Sequence, residues 1–188
     1  MLALATKHGF ARHVALGTLF RGMVLAAQGQ RAVGLAQMRQ GLAAVRATGS
    51  AVGMSGHLSQ LAEAYGQMGQ VDEGIPLLAE ALALVETTGE RHTEAELYRL
   101  HGELLLRQAV PEAQTAAACF QQALDIARHQ QAKWWELRAA TSLARLWQRQ
   151  GQRAEARELV AEIYSWFTEG FDTADLQEAR ALLENLSS

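Results

Sequence analysis

The chain has 188 residues, 49% of them apolar and only 6% aromatic, with two prolines; this supplies enough apolar surface for a packed core and excludes a disordered chain. Ala, Leu, Gln, Arg and Glu dominate, which points to packed helices and away from a β-sandwich. Seventeen basic residues against twenty acidic ones leave a net charge of -3, so no overall positive field exists to hold nucleic acid.

The elements fall into an order set by an internal period. Residues 1–9 read as the end of a helix B from a preceding repeat, with apolar Leu2 and Leu4 and with Gly9 forty positions before Gly49; the expectation is a fragment of a longer protein. Repeat 1 then covers 10–49, with helix A at 10–28 and helix B at 31–47. Repeat 2 covers 50–89 (helices 51–68 and 72–87), repeat 3 covers 90–131 (helices 91–108 and 111–129), and repeat 4 covers 132–171 (helices 132–150 and 153–168). A last helix at 173–186 closes the chain within a cap of 172–188, its stripe being Leu176, Ala179, Leu182, Leu183 and Leu186. Tyr164, Trp166, Phe167 and Phe171 just before it are expected to plug the cap onto the fourth repeat.

The period rests on recurring turns. Gly29-Gln30-Arg31-Ala32 returns as Gly151-Gln152-Arg153-Ala154, with Gly69-Gln70 between them. These glycines are expected to end each helix A in a left-handed residue. They stand singly and follow helices, so they are not phosphate loops. In the third repeat Pro111 takes the place of the glycine and is expected at the first position of helix B, and Pro76 is tolerable only near the start of its own helix. Small residues recur on helix A at Gly22, Ala62, Gly102 and Ala144, and on helix B at Gly41, Ala81 and Ala123, with the larger Ile163 fourth in that series. Large ones recur at Met38, Leu78, Phe120 and Val160. Small positions let helices approach; large ones fill the gap opposite.

This small-large interlock resembles the tetratricopeptide repeat (TPR), a helix-turn-helix unit that stacks into a solenoid. In repeat 2 the pattern reads Leu58, Leu61, Ala62, Tyr65, Gly74, Leu78, Ala81, and in repeat 4 Ala140, Leu143, Ala144, Trp147, Ala156, Val160, Ile163. The spacing of 40 to 42 exceeds the usual repeat of about 34, so both helices should be longer by most of a turn. The resemblance implies an all-α, right-handed solenoid of about four TPR-like repeats plus a capping helix. Three stretches, Glu94-Ala95-Glu96-Leu97-Tyr98-Arg99-Leu100-His101-Gly102-Glu103-Leu104-Leu105-Leu106, Ala118-Cys119-Phe120-Gln121-Gln122-Ala123-Leu124-Asp125-Ile126-Ala127 and Trp166-Phe167-Thr168-Glu169-Gly170-Phe171-Asp172-Thr173, resemble the C-terminal repeat region of large bacterial signalling proteins. Those proteins carry an adenylate or guanylate cyclase domain, or a DNA-binding domain, ahead of an ATPase. That resemblance implies a bacterial source and a catalytic part outside these residues. The Trp134-Trp135 pair departs from it.

Candidate binding residues lie on the A helices. Arg138, Arg145 and Arg149 share one helix face, and Arg99, Glu103 and Arg107 form a similar line one repeat earlier. If both lines face a common groove, five arginines bordered by Glu96, Glu103 and Glu63 would take a carboxylate or an acidic segment; the alternative is a solvated face of ordinary pairs. The adjacent tryptophans point in different directions on a helix, so one is expected buried and the other exposed. No histidine set has metal-ligand spacing. Cys119, the single cysteine, has no evident neighbouring histidine and reads as a small core residue, and His101 falls at a large core-facing position. No pair of carboxylates is placed for catalysis, so neither a catalytic residue nor a cofactor is expected.

The longest apolar run, 75–85, holds Pro76 and Glu80 and is shorter than the roughly 20 residues of a membrane span. With no signal peptide and no disulfide partner, a cytoplasmic protein without membrane or nucleic-acid partners is expected. The leading expectation is a non-catalytic module binding a protein or peptide, including another domain of its parent chain. A small-ligand sensor that regulates an attached ATPase or cyclase is the alternative, and self-association through Leu2 and Leu4 is a third reading.

Overall fold

A computed structural model of the chain describes residues 2–187, the side chain of Leu2 excepted; the expectation placed on that side chain, like anything at Met1 or Ser188, lies outside the described residues. The helices are α1 (Leu2–Lys7), α2 (Ala11–Ala27), α3 (Arg31–Ala47), α4 (Met54–Gln67), α5 (Val71–Thr88), α6 (Glu94–Leu105), α7 (Ala113–His129), α8 (Lys133–Arg149), α9 (Arg153–Tyr164) and α10 (Ala174–Leu186), with a 3-10 turn at Arg91–Thr93. Among the described residues there is no strand. The fold is all-α, as the composition requires.

Helix α6 is three residues shorter than expected at each end, its expected first turn being the 3-10 turn, and three other boundaries differ for local reasons. Helix α4 begins at Met54, since Gly53 ahead of it is left-handed (φ 69°) and cannot continue a helix backwards. Pro111 lies outside α7: the amide of Glu112 donates to the carbonyl of Leu105 at 3.3 Å, closing the turn, and the helix starts one residue later. Helix α9 stops at Tyr164, four residues early. There the amides of Trp166 and Phe167 bond to the carbonyls three residues back, and the Ser165 hydroxyl donates to the carbonyl of Glu162 at 2.8 Å.

The chain divides into two compact units, one up to Thr93 and one from Glu94 onward. In the first, α2 and α3 pack along glycines. A Cβ on Gly22 would fall 2.6 Å from the Gly34 carbonyl oxygen and 2.7 Å from the Met38 amide nitrogen, and one on Gly34 would meet Gly22 in turn. Leu19, Met38, Leu42, Val45, Leu58, Ala62, Leu78 and Val85 fill this unit's core.

In the second unit, Leu97, Leu104, Phe120, Leu124, Leu137 and Leu143 are fully buried. Leu176, Ala179, Leu182 and Leu186 of α10 join the cluster of Ala140, Ala144, Val160 and Ile163, so the last helix shares the core of the helices before it. The small and large positions compensate in volume. Gly102 receives the ring of Phe120, the largest of its series, and Gly22 receives Met38; Ala62 and Ala144 stand in register with the smaller Leu78 and Val160, all fully buried.

The aromatic plug is only half formed. Tyr164 and Phe167 pack against the core, but Trp166 is 60% exposed and Phe171 45% exposed, because the early end of α9 puts them in a turn. Neither adjacent tryptophan is fully buried. Trp134 stays exposed with its ring edge-on to Phe167 at 6.0 Å, and half-buried Trp135 lies under the guanidinium of Arg138.

Gly29, Gly69 and Gly151 are left-handed at φ 88°, 73° and 85°, as the turn pattern requires. The companion turns at the ends of helices B use Gly49 and Gly89, but the third uses Gln131 at φ 55°. A side chain in that region costs roughly 1–2 kcal/mol, partly offset by the entropy glycine gains on unfolding. Gln131→Gly is therefore expected to stabilise the protein by about 0.5–1 kcal/mol, a rise of roughly 2 °C in Tm for a chain of this size, and calorimetry beside Gln131→Val, expected to lower it, checks this.

Candidate functional site

The candidate residues of the second unit come from α6, the turn that follows it and α8, and α8 packs against both α6 and α10. Arg99 donates through Nε and Nη2 to the two oxygens of Glu96, one turn earlier on α6, at 2.8 and 2.7 Å. Both residues are buried. A bidentate, desolvated pair of this kind is strong only when its remaining donors and acceptors are met, and α8 meets them. Arg138 approaches the same Glu96 oxygen at 3.0 Å and reaches toward Asp175 of α10 at 3.9 Å. Its guanidinium stacks 5.6 Å from the centre of the Trp135 ring. The Ser142 hydroxyl donates to Glu103 at 2.7 Å and accepts from Arg99 at 3.4 Å. Glu103 also lies 3.7 Å from Arg99 and 3.9 Å from Arg107.

Arg99, Glu103 and Arg138 are thus brought together, with Arg107 exposed at the margin. Arg145 pairs with Glu178 of α10 at 3.0 Å, both half-exposed. Arg149, one turn further on, is exposed on the rim of an open groove lined by Arg145, Gln148, Glu178, Leu182 and Asn185. Glu63 is half-buried on α4 in the first unit. The arrangement is a ladder of alternating sign that links α6 to α8 and α8 to α10. Its positive charge is largely neutralised at Arg99 and Arg138 and least neutralised at Arg149.

Three carboxylates, Glu94, Glu96 and Glu136, are buried among the described residues, and the sequence expectations include none of them as a structural member. Glu96 was read as an acidic border, and Glu136, held by Arg128 of α7 at 3.0 Å and by Lys133 at 2.6 Å, was not singled out. For Glu96 a signal is present: Glu96 and Arg138 are opposite charges 42 positions apart, one repeat length, and they meet across the stack. The same spacing separates Glu103 and Arg145, which take other partners, Ser142 and Glu178.

The Cys119 expectation needs correction. Its Sγ lies 4.0 Å from Nδ1 of His101, and the residue is half-buried, not in the core. His101 is also half-buried at the position expected to be packed. Burial pushes the thiol above its ordinary range and holds the imidazole below its own, the latter opposed by the Glu112 carboxylate. A neutral thiol beside a neutral imidazole is the reverse of an activated thiolate pair. Among the described residues no group of three or more His, Cys, Asp or Glu could hold a metal ion. Nor is any described helix long and apolar enough to cross a membrane.

Residues 54–129, less than half of the chain, match the family model of the tetratricopeptide repeat. The chain is similar in structure to nearly identical TPR-like repeats of a kinesin-light-chain-like protein of Podosopora anserina, at 21% identity and a TM-score of 0.68, covering 93% of this chain and 86% of that one. A single-substitution variant of that protein matches at 20% identity and a TM-score of 0.67, covering 94% of each chain. No curated protein sequence matches. The fold is that of TPR-like repeats.

Proposed function

We propose that this TPR-like chain is a non-catalytic module that docks an acidic segment of a protein, and that the contact is made at the groove between α8 and α10. One observation carries the reading: Arg149 is exposed beside the half-exposed Arg145–Glu178 pair, on a groove whose floor includes Leu182 and whose walls carry the amides of Gln148 and Asn185. A carboxylate entering there can take Arg149 directly and compete with Glu178 for Arg145, while the buried Glu96–Arg99–Arg138 ladder keeps α6 and α8 in fixed register beneath it. The protein-binding habit of TPR repeats supports this, since such repeats recognise partners by side chains displayed on stacked helices. The likeness to repeat regions of bacterial cyclase and ATPase proteins makes another domain of a larger cytoplasmic signalling protein the first partner to test.

The test is calorimetric titration of an octapeptide rich in Asp and Glu, beside its Asn and Gln counterpart. The acidic peptide should bind and the amide peptide should not, and Arg149→Ala should weaken binding about tenfold or more, the usual worth of a charged hydrogen bond. Equal binding of both peptides, or no change in the Arg149→Ala protein, would remove the reading.

A further inference from the structure

The charges of this chain are segregated along it. Up to Ala62 it carries six cations, Lys7, Arg12, Arg21, Arg31, Arg39 and Arg46, and no carboxylate at all; the twenty Asp and Glu residues all lie from Glu63 onward, with the other eleven cations. In the first unit Arg46 is paired with Glu80 at 2.6 Å and Arg12 donates to Ser50 and to the Val52 carbonyl. Lys7, Arg21, Arg31 and Arg39 are exposed on α1, α2 and α3, helices that carry no carboxylate, and Arg39 alone of these lines a groove with one from a neighbouring helix, Glu73 of α5. The same helices expose Phe20, Val24 and Val33 at 40%, 55% and 52%. Apolar side chains left exposed on helices whose charges are all of one sign are unusual for an unpartnered surface.

Its complement stands in the second unit. Residues 158–179 contain six carboxylates and no Lys or Arg. Asp175 and Glu178 are engaged by Arg138 and Arg145, while Glu158, Glu162, Glu169 and Asp172 are exposed, the first two in a groove shared with Arg153 and Arg157 and the last two on the turn itself. Between them stand the exposed Trp166 and Phe171, tied to the turn by ring contacts of Trp166 with Phe167 at 5.2 Å and of Phe171 with Tyr164 at 5.8 Å. Aromatic rings flanked by carboxylates suit a guanidinium, which stacks on the ring while donating to the acid.

We propose that the chain associates head to tail with a second copy of itself, the cationic helices α1, α2 and α3 of one copy docking on the acidic aromatic turn between α9 and α10 of the next. Both halves of the contact are present in one sequence, which is why a second copy is chosen over other anions. The contact is heterologous, joining two different surfaces, so copies add head to tail into open chains or closed rings. It uses neither Arg149 nor the α8–α10 groove, so it stands or falls separately from the docking reading above.

Light scattering on the full chain across a wide concentration range tests it. In about 20 mM salt the weight-average mass should climb with concentration beyond twice 20.5 kDa, and in about 0.5 M salt it should return toward that monomer value, as expected for a screened contact. Two charge-reversed proteins sharpen the result: Arg21→Glu with Arg31→Glu and Arg39→Glu, and Glu162→Lys with Glu169→Lys and Asp172→Lys. Each alone should be monomeric, and an equimolar mixture should associate again, because each then offers what the other lost. A wild-type mass of 20.5 kDa at every concentration in low salt overturns the proposal, and the salt series does so without any variant. So does association that stops at a dimer and persists in high salt, which would indicate an apolar, isologous contact. Capture of the monomer by phosphatidylserine vesicles or by duplex DNA, without a rise in self-associated mass, would likewise overturn it in favour of a different anion.

Discussion

Gly41→Ala is expected to destabilise the first unit by about 3 kcal/mol, at the upper end of what overpacking costs. The added Cβ would fall 2.5 Å from the Leu19 amide nitrogen and 2.7 Å from its Cα. Those are backbone atoms, so no rotamer change relieves the overlap, and α2 and α3 must separate along their length. The usual preference of helices for Ala over Gly, about 1 kcal/mol, works the other way and is outweighed. Gly102→Ala makes a contrasting case, because its Cβ would overlap chiefly the edge of the Phe120 ring at 2.6 Å, a side chain that can be exchanged, with the Ala116 carbonyl oxygen further off at 3.0 Å. Gly102→Ala alone and Phe120→Leu alone should each cost roughly 1–3 kcal/mol, by overpacking and by cavity formation. Together they should cost less than either, since Ala with Leu is the combination already in register at Ala62 and Leu78. Chemical denaturation of the four proteins measures the coupling; simple additivity would show that the two positions do not share volume.

Removing Glu96 should be the most damaging single charge change in the second unit. Glu96→Ala takes from Arg99, 8% exposed, its bidentate partner and leaves it Glu103 at the longer distance of 3.7 Å, and it takes one partner from Arg138. Breaking a buried pair from one side costs about 3–5 kcal/mol, whereas Arg145→Ala at the half-exposed Glu178 pair should cost no more than about 1 kcal/mol. Glu96→Met combined with Arg99→Met should recover most of the loss, because replacing both members by apolar groups removes the uncompensated charge, and Arg138 keeps Asp175 and contact with water. Urea midpoints for these proteins check the order. If Glu96→Ala costs no more than Arg145→Ala, the ladder is not a structural member.

How much of this could be read beforehand depends on whether the cause was local. The glycine turns were legible, because a left-handed backbone is a property of one residue and glycine announces it; Gln131 was not, since a glutamine gives no such sign and takes that conformation in a turn closed by the amide of Ala132 on the carbonyl of Ala127 at 2.9 Å. The early end of α9 was hidden for a similar reason. Ser165 and the aromatic residues after it have acceptable helix propensity, and only the competing turn bonds and the docking of α10 decide against them.

The arginine line shows the same division within one set of residues. Spacing placed Arg138, Arg145 and Arg149 on one helix face, which follows from 3.6 residues per turn. Which carboxylate each meets depends on how α6, α8 and α10 lie against one another, and that turned a positive line into an alternating ladder ending at Arg149.

Local patterns in the chain are enough to establish that this protein is all helical, that its helices pair with a period of about forty residues, and where small residues must sit, because periodicity, turn chemistry and residue volume act over one or two turns of chain. Tertiary structure alone decided which arginines are neutralised, which aromatics stay exposed and which cysteine neighbour matters. Those outcomes turn on distances of a few ångströms between residues some twenty to forty positions apart, and no local rule specifies them.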